Sequence, residues 1–332
     1  MKSIALFLLS ASLVSMLSGA PVTANDGDDK AVRLIWFPRF SPDGKTLLSA
    51  HGSWEKTEAG EARLFNSKDG EVQRVITHPR GVRTVAWSYQ GTFIVTGDYG
   101  GDVRTFDVKT GKLLKKITNK GNAENVRLSS DDKMLVVSYG SGDIRIFDLP
   151  DYQERITFRA AHKGGIWGMA ISPDNQFIAS GGQDRVVNII DLKKNKIVFK
   201  LKHPNEVNGL AFTPDNKFLA TGCADSIIRI YDVGMGEEVA MYEGHGRGTV
   251  TDLAFTSDGK ILASAGGDGT IRIWNTSDIK NATLKKTLSG HTRMVFGVAI
   301  SPDNRTVASV GWDEQVKMWD LKTGEEVWSW KR

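Results

Sequence analysis

One cysteine, Cys223, stands in a chain of 332 residues, so an internal disulfide is excluded and the fold must be held by its own core. Charge of one sign is lacking too. Forty-three Lys and Arg face 39 Asp and Glu, a balance that does not mark a nucleic-acid binder. There is no phosphate loop, no HExxH and no paired-cysteine motif, so neither a cofactor nor a metal is expected. The glycine runs GDYGGD (97–102) and SYGSGD (138–143) each join two strand-like segments. They read as turns rather than as the strand-to-helix junctions that cradle nucleotides.

Long apolar runs are absent except at the start. Met1-Lys2 is followed by IALFLLSASLVSML, about fourteen residues, and then by the small residues around Val22-Thr23-Ala24. The run is short for a membrane span and reads as a secretory signal over 1–24. The expected mature chain starts near Asn25, with a short segment over 25–30, no stable membrane anchor, and a periplasmic or extracellular location. Removing Lys2 leaves 42 basic against 39 acidic residues, a net +3 over 308 residues. With 40% hydrophobic and 25% charged residues the chain can bury a sizeable core.

What the chain does contain is a period. SPDG, SYQG, SSDD, SPDN, TPDN, TSDG and SPDN carry as third residue Asp43, Gln90, Asp131, Asp174, Asp215, Asp258 and Asp303, at intervals of 47, 41, 43, 41, 43 and 45. Seventeen residues after this marker, from the second repeat on, come Asp107, Asp148, Asp191, Asp232, Asn275 and Asp320. In the first repeat the insertion HGSWEKTEAGEA (51–62) moves Asn66 to twenty-three. Apolar residues alternate within each unit, giving four short strands, as in TDLAFTS and ILASAGGDGTIRIWN. Four strands per unit of 41–47 residues predict a blade of a β-propeller. One blade cannot bury both faces of its sheet; seven in a ring can.

GGDGTIRIWN and GWDEQVKMWD, each preceded by a histidine near the blade junction, resemble WD-repeat (WD40) propellers over residues 31–332. Only Trp319-Asp320 is a literal WD pair. The resemblance implies an all-β, seven-bladed WD40-type β-propeller with four antiparallel strands per blade. Such propellers often borrow the last outer strand from the N-terminus. Here GEEVWSW (324–330) can supply it, and we expect blade seven to close with its own strand and meet blade one by packing alone.

Histidine, serine and aspartate recur together, which raises the question of a nucleophilic triad. Internal comparison answers it, because a catalytic group is needed once whereas a structural device is stamped repeatedly. Twelve or thirteen residues before the marker stand His78, His162, His203, His245 and His291. Six after it stand hydroxyls, among them Ser180, Thr221, Ser264 and Ser309, and ten after it Asp184, Asp225, Asp268 and Asp313. Trp274 and Trp319 complete the set in the last two repeats. The resemblance implies that these groups link within a blade; an imidazole can join a hydroxyl to an acid. They are read as scaffold, so no catalytic residue is expected. His51, the sixth histidine, is read as a solvated loop residue.

Positions that differ between repeats mark candidate recognition. Seven before the marker stand Trp36, Arg83, Glu124, Trp167, Asn208, Thr251 and Phe296, and the residue before the repeated aspartate gives Tyr99, Gln183 and Trp312. The resemblance places both sets near one rim of the central channel, where the insertion adds Trp54. Aromatics and Arg are favoured interface anchors, so the expected partner is a protein or peptide held by a non-catalytic platform. Packing within the channel is the competing role for these side chains. A carbohydrate or small-ligand propeller and, behind it, a propeller enzyme using the channel are the alternative functions. Lysines such as Lys196, Lys200 and Lys202 are expected to guard outer strand edges.

Overall fold

The computed structural model describes residues 34–53, 58–246 and 248–331. The expected signal segment over 1–24, the 25–30 segment, residues 31–33 and Trp54 lie outside the described residues.

Twenty-eight strands form seven four-stranded sheets, each antiparallel and in simple up-and-down order. The blades span 34–78, 82–117, 123–158, 166–202, 207–243, 250–289 and 295–331. The first strand of each lines the channel and the fourth lies outermost. Seven apolar clusters lie between blades, one at each junction, rather than within a single central core. Leu48, Leu64, Val82 and Ile94, for example, join blades one and two. Both faces of every sheet are thus covered by neighbours, which is why the apolar alternation has to persist through all seven repeats. On the outer strand Lys196–Lys202, Lys196, Lys200 and Lys202 are exposed, as an unpaired edge requires.

The marker is a turn between first and second strands. Its hydroxyl donates to its aspartate, Ser172 Oγ to Asp174 Oδ1 at 2.6 Å and Thr256 Oγ1 to Asp258 Oδ1 at 2.7 Å. The next residue has positive φ in all seven turns: Gly44, Gly91, Asp132, Asn175, Asn216, Gly259 and Asn304. These are the residue types that tolerate that conformation. Where the residue is Asn or Asp its side chain also accepts a backbone N–H from the preceding blade's turn, as Asn175 does from Ser130 at 2.9 Å.

Blade seven keeps its own outer strand, Glu326–Lys331. Among the described residues no strand pairs across the junction with blade one, but the contact is more than the packing expected: Trp328 lies near-parallel to Phe65 with centroids 6.4 Å apart, and its Nε1 donates to the Ser67 carbonyl at 2.9 Å. The glycine runs are turns. Gly142 has a φ of 83°, and a Cβ there would sit 2.1 Å from the His162 carbonyl oxygen.

The histidine sets are buried links within blades. In blade seven His291 Nδ1 meets Asp313 at 2.9 Å, its Nε2 meets Ser309 Oγ at 2.8 Å, and Trp319 Nε1 donates to that same oxygen at 2.8 Å. Blade six repeats this with His245, Asp268, Ser264 and Trp274 at 2.8–3.1 Å. In blade four His162 binds Asp184 and Ser180, both at 2.9 Å, and in the absence of an indole Asn188 Nδ2 donates to His162 Nε2 itself at 3.1 Å.

Blade five departs from the expected set. His203 Nε2 meets Thr221 at 2.9 Å, but its Nδ1 turns to the Leu201 carbonyl at 3.2 Å, while Asp225 pairs with Arg229 at 2.6 Å. Proline explains the change. Where Lys163 or Thr292 follows the histidine, its backbone N–H holds the aspartate at 3.0 Å. Pro204 follows His203 and has no N–H to give. Blade two carries His78-Pro79, and there too Nδ1 meets the strand's own carbonyl, that of Ile76, at 3.1 Å. His51 corrects the sequence reading: it is 2% exposed, lies in a strand, and meets Ser49 Oγ at 2.7 Å. Its neighbours in the first-strand direction were obscured by the insertion that follows it.

Candidate binding surface at the channel mouth

The chain leaves each junction loop at one end of the channel and enters the first strand there. Just inside that mouth most blades carry a register shift in the first strand, as between Ile166 and Gly168, which sets the intervening side chain, here Trp167, apart from the regular pleat. That shift is the local reason why the column of Trp36, Arg83, Glu124, Trp167, Asn208, Thr251 and Phe296 varies freely between blades.

Part of the column converges. Trp36 and Phe296 have centroids 4.4 Å apart, and Phe296 stacks on Trp312 at 6.0 Å. The Arg83 guanidinium lies 4.1 Å from the Trp36 ring centroid and 5.8 Å from that of Trp167, a cation–π arrangement on two sides. Arg83 Nε is 3.3 Å from Glu124 Oε2. Burial raises the Glu124 pKa, against the opposing pull of Arg83. Tyr99 is buried beside the pair, and burial likewise pushes its hydroxyl pKa up. Gln183 and Asn208 take local partners instead: Gln183 Oε1 accepts from Gly165 N at 3.4 Å and Asn208 Nδ2 donates to Thr249 at 2.7 Å.

Exposure divides the predicted residues. Arg83 and Glu124 are each 4% exposed, and Trp36 and Tyr99 are buried, so these four form the floor of the mouth. Trp167, Gln183, Asn208, Phe296 and Trp312 are half-buried and form its accessible surface. The floor is not saturated. The indole N–H groups of Trp36 and Trp167 and the Nη1 of Arg83 are buried and meet no acceptor among the described residues. Three donors without acceptors in one small region cost free energy, since most buried polar groups are paired.

Ser180, Ser264 and Ser309 are fully buried, so none is placed to attack a substrate. Among the described residues no group of three His, Cys, Asp or Glu is placed to hold a metal ion, and no helix is long and apolar enough to cross a membrane.

Sequence reasoning missed residues deeper in the channel. Phe37 has a φ of 35° where the first strand of blade one bulges around Pro38, and its buried ring lies 5.2 Å from Arg83, 5.5 Å from Arg39 and 6.0 Å from Arg127. A signal was present: four residues before the marker the repeats read Arg39, Ala86, Arg127, Ala170, Ala211, Ala254 and Ala299. Two arginines in a column of alanines stand out.

Comparison with known proteins bears on the repeats. Residues 70–107, 236–275 and 282–320 match the profile described as WD domain, G-beta repeat, and 169–247 match the anaphase-promoting complex subunit 4 WD40 domain. The chain is 45% identical over 51 residues to the small ribosomal subunit protein RACK1z of Arabidopsis thaliana, covering 15% of this chain and 16% of that one. It is 42% identical over 43 residues to the ribosome biogenesis protein WDR12 homolog of Oryza sativa subsp. japonica, covering 13% and 10%. These matches therefore span a small part of each relative's length. A chain in the crystal structure of the mitotic checkpoint complex has the same fold, with a TM-score of 0.76 at 24% identity over 86% of this chain and 90% of that one. With seven four-stranded blades and WD40 matches distributed among them, the chain is a seven-bladed β-propeller built of WD40 repeats.

Proposed function

We propose that the chain is a non-catalytic, exported binding platform that holds a protein or peptide segment at the channel mouth. The observation that carries this reading is the set of buried donors on Trp36, Trp167 and Arg83 with no acceptor. A segment that lays a carbonyl or carboxylate oxygen on them would complete their hydrogen bonding, while half-buried Trp167, Phe296 and Trp312 cover its apolar part. The RACK1 and checkpoint-complex names belong to proteins of ribosomes and assemblies, which supports a scaffold role for this fold without naming a partner. Nucleic acid is not the expected partner, given the near-balanced charge. Export rests on the N-terminal signal pattern, and fractionation with N-terminal sequencing would find a chain beginning near Asn25.

The test is titration of a peptide panel, with acidic, neutral and basic members, followed by tryptophan fluorescence. Trp167→Ala should weaken the best binder about tenfold or more while melting stays within about 1 °C, since a half-buried side chain carries little of the fold. Unchanged affinity in that variant would remove the mouth as the site. A response to oligosaccharides and to no peptide would favour the carbohydrate reading instead.

A further inference from the structure

At the opposite end of the channel, beneath Phe37, the marker turns surround a cavity of about 560 Å³. This lies within the range of small-molecule sites. Its walls are mixed: the alanine column, with Met169, Leu210, Leu253, Phe255 and Ile300, forms an apolar part, and Ser41, Ser88, Ser130, Ser172 and Asn175 of the turns form a polar rim. Three charged side chains line it, Arg39, Arg127 and Asp252. Asp252 is already engaged. It accepts from the backbone N–H groups of Leu253 at 3.0 Å and Val298 at 3.2 Å, and lies 3.6 Å from Arg39 Nη1. Arg39 also donates to the Pro38 carbonyl at 2.9 Å.

Arg127 is different. Its one hydrogen bond among the described residues is from Nη1 to the Val126 carbonyl at 2.9 Å, and no carboxylate lies within ion-pair distance of it. A guanidinium offers five N–H donors, so most of its fork faces the cavity unmatched. Burial, and then the neighbouring positive charge of Arg39, lower the Arg127 pKa. Two guanidinium groups lie beside one Phe37 ring, and the one carboxylate lining the chamber, Asp252, sits 3.6 Å from Arg39, which leaves the charge of Arg127 uncompensated.

We propose that this cavity binds a monocarboxylate with an apolar body, its carboxylate seated on the fork of Arg127 and its body against the alanine ring. The planar fork matches a carboxylate through two parallel bonds. One excess positive charge fits one negative charge, whereas a doubly charged phosphate would also meet Asp252 in the same chamber. The body would lie against the apolar part of the wall, the alanines with Met169, Leu210, Leu253, Phe255 and Ile300, away from the polar turn residues. The site is separate from the mouth: Phe37 stands between Arg83 on one side and Arg39 and Arg127 on the other. It therefore does not depend on the function proposed above.

The experiment is isothermal titration calorimetry of the mature chain with hexanoate, hexanamide and inorganic phosphate. A short apolar peptide, with its C-terminus either free or amidated, distinguishes a chain end from a free acid as the source of the carboxylate. Hexanoate should bind at least tenfold more tightly than hexanamide. Arg127→Met should abolish that preference, and Trp167→Ala at the mouth should leave it intact. A free-ended peptide that binds like hexanoate assigns the carboxylate to a chain end and supports the site. Equal affinity for acid and amide, no binding of hexanoate at millimolar concentration, or phosphate binding as tightly as hexanoate would each overturn the proposal. If Arg127→Met does not fold, the acid-to-amide ratio on the unaltered chain still decides.

Discussion

Closure of the ring can be tested at one side chain. Trp328 lies on the outermost strand of blade seven, is 9% exposed, and all the contacts that matter for the seam are to blade one. It covers Gly70 so closely that a Cβ added there would fall 2.7 Å from the indole, and it stacks along Phe65. Since among the described residues no strand crosses this junction, Trp328→Ala removes apolar contact that no strand pairing replaces. Burying a large aromatic is worth about 3–5 kcal/mol by truncation. The lost bond to the Ser67 carbonyl, a part-buried one, adds about 1 kcal/mol at most. An unfolding entropy of about 2.1 cal/mol/K per residue gives about 0.6 kcal/mol/K for about 300 residues, so melting should fall by about 6 °C. Differential scanning calorimetry measures this directly. Val327→Ala, one residue away and 51% exposed, is the control and should shift melting by less than about 1 °C. A Trp328→Ala protein that melts within 1 °C of the parent, or a control that falls as far, would refute closure by packing.

Other expectations follow from the same contacts. Asp268→Ala leaves His245 Nδ1 buried without its acceptor, so stability should drop by about 1–3 kcal/mol in denaturant titration while hexanoate binding is unchanged. His78 and His203 have no acid on Nδ1, and burial lowers both pKa values to about 4. An unfolded histidine titrates near 6.5, so the unfolded chain binds more protons between these values. The contribution of each is full above about pH 6.5 and is lost as pH falls towards 4, about 3 kcal/mol apiece; melting measured across that window should show the slope, and His203→Gln should flatten it. Arg83→Met should destabilise by about 3–5 kcal/mol rather than act only on binding, because it strands the buried Glu124 carboxylate; chemical denaturation with and without Glu124→Gln separates the two effects.

Much of the fold could be read before any coordinates. The period was visible because each turn carries a hydroxyl and a residue that tolerates positive φ, with an aspartate in six of the seven, and few residue types meet those needs. The links through His162, His245 and His291 were legible for the same reason: a repeated geometry demands repeated chemistry. Blade five was legible only in part, since the two letters His203-Pro204 hold the answer but only the backbone shows that a missing N–H releases Asp225. The mouth was harder. Spacing brought Trp36, Arg83, Trp167 and Phe296 to one place, but nothing in the spacing says that Arg83 turns inward between two indoles. The chamber beneath was legible only as two arginines, Arg39 and Arg127, in a column of alanines; that Phe37 lies beside both, at the bulge around Pro38, depends on the backbone.

Each sheet is made from one uninterrupted stretch of chain, and this governs how the molecule yields to force. The final strand, Glu326–Lys331, is hydrogen-bonded along one edge only, to Gln315–Asp320. Tension applied at the C-terminus would peel that edge first and then dismantle the seventh sheet, with no other sheet losing a strand. Mechanical failure should therefore advance through the ring in steps of about forty residues, each step shedding one whole repeat.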